Sequence, residues 1–149
     1  VDAALTDLRY LGEALLAAAL GGVVGWERER KNKGAGFRTM MLVSLSSYLF
    51  VVVSLLAGEI FPDGATRTDP VRAIQSIATG LGFVGAGLVF RDRADRPRGL
   101  TTAAALLAVA PIGVSVALGH WVLAVGTTLL LVLILGPVGS VEDRYIDPD

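Results

Sequence analysis

The chain has no cysteine in 149 residues. This removes disulfides, thiolate nucleophiles and cysteine-based metal sites from the functions open to it. Histidine is almost as scarce: His120 stands alone, without partners at metal-ligand spacing. Charge is the third scarcity, and it is one of placement. The chain carries 13 Lys plus Arg and 14 Asp plus Glu, yet the runs 14–26, 39–58, 73–90 and 99–141 hold none of them. Those runs cover 94 residues, so all 27 charges fall in the other 55. A water-soluble domain places a charge every few residues along the exposed side of each element, whereas a helix crossing a bilayer needs about 20 apolar residues. The pattern is that of a polytopic membrane protein. Its formal net charge of −1 decides little, because in such a chain the distribution of Lys and Arg among the loops is what matters.

Five helical spans account for the apolar runs, giving an all-α membrane bundle. The expected spans are about 10–26, 39–58, 71–90, 100–118 and 121–138. The first stops at Glu27-Arg28-Glu29-Arg30-Lys31, and the second before the turn signal Pro62-Asp63-Gly64. The last charge-free run, 43 residues long, is about twice one span, and Gly119-His120 near its middle is the natural turn. A β-barrel would show alternating polarity in segments of about 10 residues, which these continuous runs lack. Residues 1–141 therefore form one transmembrane domain, with 142–149 a short tail. No basic n-region with a small-residue cleavage site marks a secretory signal.

Orientation follows from basic residues. Arg28, Arg30, Lys31, Lys33 and Arg38 lie between the first two spans, and Arg91, Arg93, Arg96 and Arg98 between the third and fourth. The other loops carry few. The basic loops belong in the cytoplasm, which puts the N-terminus outside and the C-terminal tail inside.

In lipid, helices are held together by close packing of small residues. Ala17, Gly21 and Gly25 recur every four residues on the first span, and Ala78, Gly82 and Ala86 on the third, which Gly80, Gly85 and Gly87 thin further. The letters Gly80-Leu81-Gly82-Phe83-Val84-Gly85 also fit a dinucleotide fingerprint. That motif must follow a strand and open a helix, and here it lies within a membrane run, so the packing reading is preferred. Pro111 is expected to bend or interrupt the fourth span.

The polar residues within or beside the spans define candidate sites. Glu13 is the one acidic residue well inside a span; either it faces the bundle interior as a proton or cation ligand, or it reaches water one turn from the interface. Asp69, Arg72, Gln75 and Thr79 cluster at the outer end of the third span, where Asp69 followed by Pro70 is also a strong helix-start signal. On the inner side, Glu27, Arg38, Arg98 and Thr101 form a candidate network, with Arg28, Thr39 and Thr102 at the same depth. Each of these charges can equally be a solvated flank that enforces topology. Mg²⁺ prefers oxygen ligands and keeps several waters, so a Glu13 or Asp69 site would bind it only with help. No nucleophile stands with a base, and the expectation is a non-enzyme without a resident cofactor. The basic loops lack the aromatic interleaving of a nucleic-acid surface and suit anionic lipid headgroups instead.

Four motifs in order resemble those of the MgtC/SapB family of bacterial membrane proteins. They are Gly25-Trp26-Glu27-Arg28-Glu29; Gly34-Ala35-Gly36-Phe37-Arg38-Thr39; Arg72-Ala73-Ile74-Gln75 leading into Thr79 to Gly87; and Arg98-Gly99-Leu100-Thr101-Thr102. The resemblance covers about residues 10–120. It implies a multi-pass protein of the bacterial inner membrane, linked to magnesium homeostasis and adaptation to low magnesium. It adds weight to Glu27, Arg38, Arg72, Gln75, Gly80, Gly82, Gly85, Gly87, Arg98, Gly99 and Thr101. Members often add an ACT-like cytoplasmic domain and often place a Trp near 106–107, where this sequence has Leu106 and Leu107. Two functions follow as expectations. One is a membrane regulator or adaptor working through helix contacts, as a homodimer or other homo-oligomer, or with a partner such as the F-type ATP synthase that the resemblance implies. The other is a transporter or channel for Mg²⁺ or protons using the intramembrane polar residues.

Overall fold

The structure, a computed structural model, describes residues 2–60, 69–91 and 97–138. Its elements are α1 (Asp2–Arg30), α2 (Phe37–Ile60), α3 (Pro70–Leu88), the two-residue strands β1 (Phe90–Arg91) and β2 (Pro97–Arg98), α4 (Leu100–Ala117) and α5 (Trp121–Leu133). α5 runs on into one π-helical turn, Ile134–Val138. Among the described residues, five helices are long and apolar enough to cross a membrane, the number expected. The first is longer than the apolar run alone: α1 continues in both directions through charged residues to Asp2 and Arg30. The expected turn Pro62-Asp63-Gly64, the loop residues Arg93 and Arg96, and the tail 142–149 lie outside the described residues.

α1, α2 and α4 make the core. The buried positions of α2 are Met40, Ser44, Ser47, Tyr48, Val51 and Val52, spaced as one stripe of a helix. They meet Ala14, Ala17 and Val24 of α1 and Leu106, Val109, Ile112 and Val116 of α4. Contact is closest where backbones nearly touch. A Cβ built on Gly113 of α4 would stand 1.9 Å from the Ser44 carbonyl oxygen, and one on Gly21 would stand 2.5 Å from the Met40 carbonyl oxygen. Gly25 is equally constrained, 2.6 Å from the Phe37 Cα. Without a hydrophobic force between helices, this backbone approach is what gives them contact area. The Ser44 hydroxyl at the three-helix crossing is buried and has no hydrogen-bond partner among the described residues.

Pro111 does not interrupt α4, contrary to one of the two expected outcomes. The helix runs through it from Leu100 to Ala117, and Pro111 lies on the exposed side. The turn at Gly119 is as expected: Gly119 takes φ +75°, a left-handed conformation suited to glycine, and α5 starts at Trp121. At the other end of α4, Gly99 takes φ +85°, and a Cβ there would collide with the Leu88 carbonyl oxygen at 2.1 Å. With the pairing of Phe90 to Arg98 and Arg91 to Pro97, this contact ties the end of α3 to the start of α4.

Candidate functional site

The polar residues of α1 divide between two ends of the bundle. Glu13 and Arg28 are separated by roughly 22 Å along the helix at 1.5 Å per residue. Both are buried, Glu13 at 9% exposure and Arg28 at 2%.

At the first end, Arg9, one turn before Glu13, donates from Nε to its Oε1 at 3.0 Å. The Tyr48 hydroxyl of α2 stands 3.1 Å from Glu13 Oε2 and 3.0 Å from the Tyr10 carbonyl oxygen. Tyr48 has one proton to give, and the carboxylate is the stronger acceptor. Glu13 therefore faces the bundle interior and is held by hydrogen bonds from Arg9 and Tyr48. Beside it lies a cavity of about 170 Å³ lined by Thr6, Arg9, Tyr10, Val52 and Ala117 among others. None of Asp69, Arg72, Gln75 and Thr79 lines it. Sequence reasoning missed Tyr48. Its signal was a tyrosine in the middle of a charge-free span, on the same helical stripe as Ser44.

The α3 cluster stays on its own helix. Asp69 caps α3, accepting from the Val71 N–H at 3.0 Å, with Pro70 at the first helical position. Ser76 donates to the Arg72 carbonyl at 2.9 Å and Thr79 to the Gln75 carbonyl at 2.8 Å. Arg72, Gln75, Ser76 and Thr79 are all exposed. Of the residues with which α3 was expected to pack, Gly85 alone among its described residues is buried, 3.3 Å by its notional Cβ from that of Ala103. Gly80, Gly82 and Gly87 have open space around them.

At the second end, the α1–α2 hairpin is built by charged side chains. Arg28 donates from Nε to the Ala35 carbonyl at 3.1 Å and from Nη2 to Thr102 Oγ1 at 2.6 Å, joining α1, the loop and α4. Glu29 Oε2 accepts the Phe37 N–H at 2.7 Å, placing a carboxylate on the positive N-terminal end of α2. A Cβ on Gly36 would lie 2.5 Å from that oxygen, so a larger residue there would displace the Glu29 carboxylate. Lys31 pairs with Glu27 at 3.6 Å and donates to the carbonyls of Leu135, at 3.1 Å, and of Gly136, capping the π-turn that ends α5. The residues expected at this depth are joined to different extents. Arg28 and Thr102 make the cross-helix bond, Glu27 contributes through Lys31, and Arg38 is exposed. Arg98 and Thr101 border the cavity between α1, α4 and α5. Among the described residues no three of His, Cys, Asp and Glu are grouped to hold a metal ion.

The profile of the MgtC family matches residues 14–144, nearly the whole bundle. The chain belongs to the MgtC family. It is 39% identical over 130 residues to protein SrpB of Synechococcus elongatus, covering 82% of this chain and 71% of that one. It is 34% identical over 119 residues to protein SapB of Bacillus subtilis, covering 79% and 51%. A third relative, the Escherichia coli protein named "Putative magnesium transporter YhiD", is 35% identical over 127 residues, covering 85% and 59%. The chain thus spans little more than half the length of several curated relatives it matches. No solved structure matches it. Family membership together with five membrane-length helices makes it a multi-pass protein of the bacterial inner membrane.

Proposed function

We propose that this MgtC-family chain is a non-enzymatic membrane regulator in magnesium homeostasis that works by packing α3 against α3 of a second copy. The link to magnesium rests on the family and on the name carried by YhiD. The helix contact rests on one observation. The outward side of α3 presents Gly80, Gly82, Gly87, Gln75, Ser76 and Thr79 together with Val71, Phe83 and Val84, while Ile74, Ile77, Leu81 and Leu88 are half-buried toward the bundle. Small residues let a second helix approach closely, and exposed polar side chains at membrane depth favour interhelical hydrogen bonds. A two-fold arrangement suits the face, because a Gln amide both donates and accepts and so complements its own copy. With the outer helix as the contact, α1, α2 and α4 remain the rigid support.

The test is the molecular mass of the detergent-purified chain, with Gln75→Leu and Gly82→Leu. A dimer that both substitutions convert to folded monomer supports the reading, and a wild-type monomer in detergent and in bilayers sinks it. A dimer untouched by both substitutions assigns the contact elsewhere.

A transporter of Mg²⁺ or protons is the second reading, favoured by the buried Glu13 beside its cavity. In liposomes it requires ion flux that Glu13→Gln abolishes. Flux no greater than from empty vesicles removes it.

A further inference from the structure

The end of the bundle around Arg28 holds a second cavity, of about 640 Å³, formed where α1, α4 and α5 end or begin beside the last residues of α3. Arg28, Lys31, Lys33 and Arg98 all line it, and no Asp or Glu does among the described residues. Arg28 is the decisive member. It is 2% exposed, and its hydrogen bonds go to two neutral acceptors, the Ala35 carbonyl and the Thr102 hydroxyl. A guanidinium has five N–H donors and keeps its charge, so a buried arginine held by neutral oxygens alone has capacity and electrostatic need for an anion. The Thr101 and Thr102 hydroxyls and the close-lying backbone of Gly34 and Gly99 add polar groups to the same wall.

The rest of the lining is of the opposite kind. Leu88, Phe90, Ile134, Leu135 and Val138 give the cavity an apolar side. Its volume falls in the range that holds a ligand of many atoms rather than a single inorganic ion. A cationic pocket with an apolar side, at the ends of membrane helices, matches a molecule with an anionic head and a hydrocarbon body.

We propose that this cavity seats the phosphodiester headgroup of an anionic phospholipid, with the phosphoryl oxygens toward Arg28, Lys33 and Arg98 and the acyl end along Phe90, Ile134 and Val138. The same phosphoryl chemistry could be offered by free phosphate, and the experiment separates the two sources. This inference is independent of the α3 contact, which lies on another surface of the molecule.

The test titrates the purified full chain in a neutral detergent with short-chain phosphatidylglycerol, with phosphatidylcholine of the same chain length, and with inorganic phosphate. Thermal unfolding is followed by the fluorescence of Trp26 and Trp121. Phosphatidylglycerol should raise the midpoint saturably while phosphatidylcholine and phosphate leave it in place. Lys33→Gln with Arg98→Gln should raise the half-saturating concentration about thirtyfold. Arg38→Gln, which removes an exposed cation of the same hairpin that does not line the cavity, should leave it unchanged. Equal shifts from both lipids overturn the proposal, as does an effect of Arg38→Gln equal to that of the double variant. Full protection by phosphate alone overturns the lipid as the source of the anion.

Discussion

α3 and α5 both lie at the edge of the bundle, and they turn opposite kinds of surface outward. α5 exposes Val122, Leu123, Val125, Leu129, Leu130 and Leu133. α3 exposes Gly80, Gly82, Gly87, Gln75, Ser76 and Thr79, with Val71, Phe83 and Val84 as its exposed large apolar residues. One face is almost wholly large and apolar, and the other mixes small and polar residues with a few large apolar ones. Glycine is therefore not a uniform signal in this chain. At Gly21, Gly25 and Gly113 it is consumed by contacts inside the bundle, and at Gly80, Gly82 and Gly87 it remains available outside.

The comparison can be sharpened first by adding one methyl group to each kind of glycine. Gly113→Ala should cost about 3 kcal/mol or prevent folding, because the Cβ would overlap the Ser44 carbonyl oxygen at 1.9 Å. Gly82→Ala, with nothing within 4 Å, should leave the monomer's unfolding midpoint unchanged or raise it by the helix-propensity difference of up to about 1 kcal/mol. Equal losses in thermal unfolding would erase the distinction. Tyr48→Phe tests the core from its polar side. It removes a donor to buried Glu13 and should cost roughly 1.5–3 kcal/mol, since the acceptor is charged. Smaller in stability, and larger in association, is Gln75→Leu, which makes α3 resemble α5. It should convert dimer to monomer while the folded monomer's midpoint stays within about 0.5 kcal/mol. Smallest of all is Leu129→Ala on α5, expected to alter neither mass nor midpoint beyond that margin, as a lipid-facing side chain exchanges one apolar neighbour for another.

The span count and the helix-packing motif on α1 were legible because hydrophobic length and small-residue spacing are local properties of a sequence. The same reasoning read the α3 glycines as packing residues, and among the described residues only Gly85 meets another helix, while Gly80, Gly82 and Gly87 have open space beside them. Periodicity gives a face and not its neighbour. Pairings across the bundle were harder still. Glu13 was visible as an oddity, yet its partner Tyr48 lies 35 residues away on α2 and carries no charge to draw attention. Arg28 shows the same limit. It sits among Glu27, Glu29 and Arg30 in a run where each charge reads as a solvated flank, and only the fold turns it inward toward Thr102, 74 residues on. Arg38 and Glu27 appeared equivalent to it by depth, but helical phase separates them.

The contact between α3 helices can be measured most directly because the chain contains no cysteine. Single substitutions Ala78→Cys and Gly82→Cys place one thiol on the outward face of α3, and Leu129→Cys places one on α5 as a control. A disulfide needs Cα atoms about 4.4–6.8 Å apart, a separation that small-residue helix packing reaches. Oxidation in native membranes should yield cross-linked dimer at 78 and 82 and none at 129. Cross-linking at 78 and 82 no greater than at 129 would contradict the account.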